Sequence, residues 1–133
     1  MKKVFWIILL AVTASSFHLD AQAQEAWEEQ VSGRINGYYS AWKEMNIEKM
    51  KKLWSPEIVA DETRLSEQWT NRDVRVKTFK IYDIGPIKND KVKVKMVVTF
   101  VKIDNGEEFR GASFDIWTRK NNEWFLINSG REE

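Results

Sequence analysis

The sequence predicts an α+β fold in which N-terminal helices pack on one face of a four-stranded antiparallel sheet. Three observations predict it. Between Glu25 and Met45 an apolar residue recurs every three or four positions, which is one stripe of a helix. From Arg75 to Ser129 the chain reads instead as long runs rich in β-branched and aromatic residues. Those runs are broken at Asn89-Asp90, Asn105-Gly106 and Asn121-Asn122, residue pairs that tolerate the positive φ of tight hairpin turns.

The helical stripe is Trp27, Val31, Ile35, Tyr38, Trp42 and Met45, and core packing is its expected role. Gly33 and Gly37 weaken this helix. A second, short helix follows. Asn46 is its expected N-cap, Glu48 suits its positive end, and Met50, Leu53 and Trp54 give it an apolar side. Ser55-Pro56-Glu57 restarts the chain, with Ser55 as cap and Pro56 at the first helical position, for one more turn through Ala60. Asp61 to Asp73 reads as a polar loop around Leu65 and Trp69, with a short helical turn after Ser66.

The four strands are expected at about Arg75–Ile84, Lys91–Ile103, Glu107–Arg119 and Glu123–Ser129, the first ended by Gly85-Pro86. Two-residue loops at all three turns fix a register in which Asp83 faces Met96, Met96 faces Asp115, and Asp115 faces Asn128. That row shares the helix-facing side with Phe79, Ile81, Val94, Val98, Phe100, Trp117, Trp124 and Leu126. The outer side carries Lys80, Tyr82, Lys95, Val97, Val101, Arg110, Phe114, Ile116, Phe125 and Ile127.

Lys2 and Lys3, the apolar run Val4–Ala14 and the small residues of Ala21-Gln22-Ala23 predict a signal peptide over residues 1–23. The run is too short to span a bilayer, which takes about 20 residues. A single domain over 24–133, exported to the periplasm or beyond, is the expected product, with no stable membrane insertion after cleavage. Removing Lys2, Lys3 and Asp20 takes 21 basic and 20 acidic residues to 19 of each. A neutral chain has no bulk attraction for nucleic acid, and Lys91, Lys93 and Lys95, at a period of two, read as a solvated strand face. There is no Cys, and His18, the only His, lies in the predicted signal. Disulfides, thiolate metal sites and Ser-His-Asp or Cys-His catalysis are thereby excluded from the mature chain. Phosphate loops and EF-hand or zinc spacings are absent, so neither a cofactor nor a metal is expected.

The run from Gly37 to Trp42, the run from Asn46 to Glu57, and the C-terminal run from Trp117 to Ile127 together resemble the nuclear-transport-factor-2-like superfamily, also grouped as cystatin-like folds. The likeness is greatest to its small exported bacterial members of unknown function. It implies a curved sheet that forms a cone-shaped pocket with the helices. It also implies a superfamily of ketosteroid isomerases, dehydratases, polyketide cyclases and many non-enzymatic binding domains. The isomerase site resembles an Asp base facing a Tyr and a second, protonated Asp. Asp83, Asp115 and Tyr38 or Tyr39 are the matching residue types here.

Two functions follow as expectations. The first is a non-catalytic domain that binds a small apolar ligand or an exported protein through a pocket lined by Tyr38, Trp42, Asp83, Met96, Asp115, Trp117 and Asn128. The second is an isomerase-like enzyme with Asp83 or Asp115 as general base. A homodimer through the open sheet face is expected beside either, because the helices are too short to cover both faces. The secreted form should begin at Gln24, and an intact mass that retains Met1 to Ala23 would contradict export.

Overall fold

A computed structural model describes residues 26–61, 63 and 73–131. The predicted signal peptide and most of the predicted Asp61–Asp73 loop, with Leu65, Ser66 and Trp69, lie outside the described residues. Two compact units, Met1–Ser32 and Gly33–Glu133, divide the chain. In the first, residues 26–32 are helical. They begin helix α1, 26–43, and the contacts described below belong to the second unit. Helices α2, Ile47–Leu53, and α3, Pro56–Ala60, follow. The sheet is β1, Val74–Ile84; β2, Lys91–Lys102; β3, Glu108–Lys120; and β4, Glu123–Arg131, in the order β1-β2-β3-β4 with every pair antiparallel.

α1 stops because Met45 adopts φ +53, a left-handed conformation beyond the last helical residue. Asn46 N–H then donates to Ala41 O at 2.8 Å and Met45 N–H to Trp42 O at 3.1 Å, closing orphan carbonyls in a Schellman arrangement. The side chain of Asn46 accepts from Lys49 N–H at 3.2 Å and caps α2 as expected. Ser55 precedes Pro56 at the start of α3, but its side chain makes no capping bond. Its backbone N–H instead donates to Leu126 O at 2.9 Å, and Trp54 bridges Leu126 in parallel, which covers part of the β4 edge.

Two of the three turns match expectation. Asn89, Asp90, Asn121 and Asn122 all have positive φ, as a two-residue type I′ loop requires. The middle turn differs. Only Gly106 is left-handed there, its N–H donates to Lys102 O, and Lys102 N–H donates to Glu107 O, so the loop has four residues, 103–106. This moves the β2–β3 pairing by two residues and keeps each strand's faces, so Met96 meets Ser113 and Val94 meets Asp115.

The middle turn separates Met96 from Asp115, and two of three bulges take Asp83 and Asn128 out of the expected row. The β1–β2 register shifts between Val76 and Thr78 and again between Ile81 and Asp83, and the β3–β4 register shifts beside Ile116. Asp83 consequently pairs with Lys95 on the outer face and is exposed, while Ile84 turns inward opposite Val94. Asn128 pairs with Ile116, also outward, and Ser129 takes its predicted place opposite Asp115. The reason at Tyr82 is chemical. An unbroken strand would put a carboxylate on the apolar side and Ile84 in water, and one extra residue reverses both.

The remaining face assignments hold. Val92, Val94, Met96, Val98, Trp117, Trp124 and Leu126 are each no more than 1% exposed, and Ile35, Tyr38, Tyr39, Met50, Trp54 and Ile58 are buried from the helices. Trp117→Ala and Trp124→Ala should each destabilise the fold by about 3–5 kcal/mol in denaturant unfolding, because each removes a fully buried ring. Losses under about 1 kcal/mol for both would contradict their placement.

Candidate functional site

The helix-facing side of the sheet is apolar except along the β3–β4 pair. Ser113 lies opposite Arg131, and Asp115 lies opposite Ser129. The bulge at Ile127 creates the second pairing, and Ser129 Oγ donates to Asp115 Oδ1 at 2.7 Å. From α1, the Tyr39 hydroxyl donates to the same carboxylate at 3.1 Å from each oxygen. Asp115 is fully buried. Among the described residues it is the only carboxylate on this face.

Tyr39 is held for this contact by stacking. Its ring lies 5.1 Å from that of Phe79 and 6.0 Å from that of Trp42. Trp42 is fixed in turn by an indole N–H donated to Val74 O at 3.0 Å. Tyr38, one residue before, points elsewhere. It accepts from Trp54 Nε1 at 3.3 Å and packs edge-on against Trp117.

Burial pushes the Asp115 carboxyl up to about 6, since a charged form out of water is disfavoured. The bonds from Ser129 and then Tyr39 act against that rise. The indole N–H of Trp117 acts in the same direction, but it falls outside hydrogen-bond geometry, so its effect is the weakest. Burial and the Asp115 charge together raise the Tyr39 phenol well above its ordinary range, and Tyr38 moves the same way for the same two causes. Tyr39 thus stays a neutral donor at any physiological pH.

Of the seven residues predicted to line a pocket, Tyr38, Met96, Asp115 and Trp117 are buried together behind the sheet, with Trp42 half-buried beside them. Asp83 and Asn128 are not brought to them. The sequence placed Tyr38 in the pocket, whereas Tyr39 is the tyrosine that reaches Asp115, and Ser113, Ser129 and Arg131 were missed. The one signal for these is the polar pair Ser113-x-Asp115 at strand period inside an apolar run. Nothing in the sequence announces the bulge that delivers Ser129. Among the described residues, no group of three His, Cys, Asp or Glu side chains could hold a metal ion.

No protein-family model matches the chain, and no curated protein matches it. Solved structures do. A domain of unknown function with a cystatin-like fold from Nostoc punctiforme superposes with a TM-score of 0.58 at 10% identity, over 81% of this chain and 78% of that one. A nuclear-transport-factor-2-like protein of unknown function from Shewanella oneidensis gives 0.55 at 11% identity, over 77% and 95%. A ketosteroid isomerase-like protein from Erwinia carotovora gives 0.53 at 13% identity, over 76% and 91%. The chain therefore has the cystatin-like α+β fold of nuclear-transport-factor-2-like proteins, and at such identities the likeness concerns the fold alone.

Because the folded Asp115 carboxyl sits near 6 against an ordinary 3.8, the folded state holds its proton more tightly than the unfolded chain does. The stability this group contributes is fully present below about pH 4 and is lost as pH rises through about 6, by roughly 3 kcal/mol. Unfolding free energies of wild type and Asp115→Asn, measured from pH 4 to 7, should show the wild type losing that much relative to the variant. A difference that stays constant, or runs the other way, would contradict the raised carboxyl.

Proposed function

We propose that the chain is an exported, non-catalytic binding domain that takes up a small apolar ligand on the helix-facing side of its sheet, beside Asp115. The observation that carries this reading is the separation of Asp83 from Asp115. An isomerase-like site of the kind the fold resemblance suggests needs one carboxylate as base and a second as proton donor. Here the second carboxylate is on the outer face, opposite Lys95. Asp115 itself is committed to Tyr39 and Ser129. What remains is a buried polar patch in an apolar wall, which is the composition of a ligand site with a few orienting groups. Protein recognition belongs to the outer face. Its half-buried Val97, Val101, Phe114, Ile116 and Phe125 lie among exposed Lys80, Lys93 and Arg110, and a second copy of the chain is the proposed occupant.

One observation favours the isomerase-like reading instead. Asp115 held near 6 is poised as a general base, and Tyr39 beside it is a neutral hydroxyl donor, the two residue types of such a site. The two readings separate in one set of measurements on the purified chain. The binding reading predicts a rise in unfolding temperature with apolar ligands and no exchange of protons α to a ketone beyond the buffer rate. Exchange that disappears in Tyr39→Phe would establish catalysis and overturn it. Sedimentation equilibrium on the same sample should give a dimer that Phe114→Glu dissociates, and a monomer at tens of micromolar would contradict the outer-face pairing.

A further inference from the structure

We infer that the corner of the helix-facing side between Phe109, Gly111, Ser113 and Arg131 is a binding site for the carboxylate of a small aromatic acid. The inference rests on the ligand-binding reading above and names the chemical class of the ligand.

Phe109, Gly111 and Ser113 occupy successive helix-facing positions on β3, opposite Phe100, Val98 and Met96 of β2. Arg131 pairs with Ser113 from β4, and its guanidinium lies over the Phe109 ring at 5.2 Å. The arm of Arg131 therefore runs along β3 past Gly111. A Cβ at Gly111 would meet nothing within 4 Å, so the glycine leaves open space beneath that arm. Its backbone has no positive φ to require a glycine there, which leaves the space as the notable consequence of having one. Both Gly111 and Phe109 are half-exposed, so the space opens to solvent.

Two donors look into it. Ser113 is 5% exposed and stands on the helix-facing side between Gly111 and Asp115. Set at the edge of that space, the Ser113 hydroxyl can donate to a ligand oxygen that enters it. Arg131 has no carboxylate partner among the described residues, and stacking on Phe109 holds its planar fork in place. A guanidinium beside a hydroxyl suits one carboxylate group. The stacked rings of Phe100 and Phe109, 5.3 Å apart, give an aromatic body a wall to lie against. Asp115 is one row deeper on the same strand, with its oxygens turned to Tyr39 and Ser129. Its charge there disfavours a second anionic group on the ligand, so a monoacid is selected.

The test uses 3-phenylpropanoate and its neutral counterpart 3-phenylpropanamide, titrated against the full mature chain by calorimetry and backbone NMR. The acid should bind at least about tenfold more tightly than the amide, with shifts centred on Gly111 and Ser113. Arg131→Gln should bring the acid to the level of the amide without changing the unfolding midpoint, because Arg131 is at the surface. Gly111→Leu should abolish binding of both by filling the space. Equal binding of acid and amide, or a preference that survives Arg131→Gln, overturns carboxylate recognition and leaves apolar ligand binding standing. Absence of shifts at Gly111 and Ser113 with either compound at millimolar concentration overturns the site. A different apolar ligand that shifts Tyr39 and Trp54 would then retain the broader reading.

Discussion

A carboxylate buried in an apolar wall must be satisfied by its neighbours, and this one constraint at Asp115 orders much of the structure around it. The charge cannot reach water, so donors have to come to it. One comes from α1 as Tyr39 and one from β4 as Ser129. Tyr39 can serve only if α1 lies at a fixed height over β1, and its stacking on Phe79 with the Trp42 indole bond to Val74 O sets that height. Ser129 can serve only if β4 carries an extra residue at Ile127. Helix placement and strand irregularity are thus two responses to the same buried group.

Much of the fold was legible because its signals are local. Paired Asn and Asp residues at Asn89-Asp90 and Asn121-Asn122 adopt the left-handed conformations they tolerate best. Asn46 caps α2 through its own side chain. Alternation placed Trp117, Trp124 and Leu126 on the buried side of the sheet. The bulges were less accessible, and they differ among themselves. Those in β1 leave a trace, because apolar spacing slips from two residues to three between Val76 and Phe79 and between Ile81 and Ile84. An unbroken alternation could not bury both ends of either pair. The β4 bulge leaves none, since Asn128 and Ser129 are both polar and either could have faced Asp115. Likewise Asn105-Gly106 carries the signature of a two-residue loop but closes a four-residue one, with only Gly106 left-handed. The candidate site was misread where a tertiary demand, satisfying Asp115, decided between locally equal choices.

The same irregularities limit what the fold likeness can say about chemistry. A bulge at Tyr82 moves Asp83 across the sheet, and with it goes the second carboxylate of an isomerase-like arrangement. Sharing a cystatin-like fold with a ketosteroid isomerase-like protein at 13% identity does not restore that group. In the corner next to Asp115, Gly111 leaves open space on the helix-facing side, with Ser113 and Arg131 paired across it.

The placement of α1 and the bulge in β4 both answer to Asp115 being buried and bonded in the folded protein. Carbon-13 NMR of the side-chain carboxyl, followed through a pH titration, reads that state directly. A midpoint near 6 that falls further from the ordinary value when Ser129→Ala removes a donor is the predicted result. A midpoint close to the ordinary 3.8, insensitive to Ser129→Ala, would place Asp115 in contact with water and contradict the account.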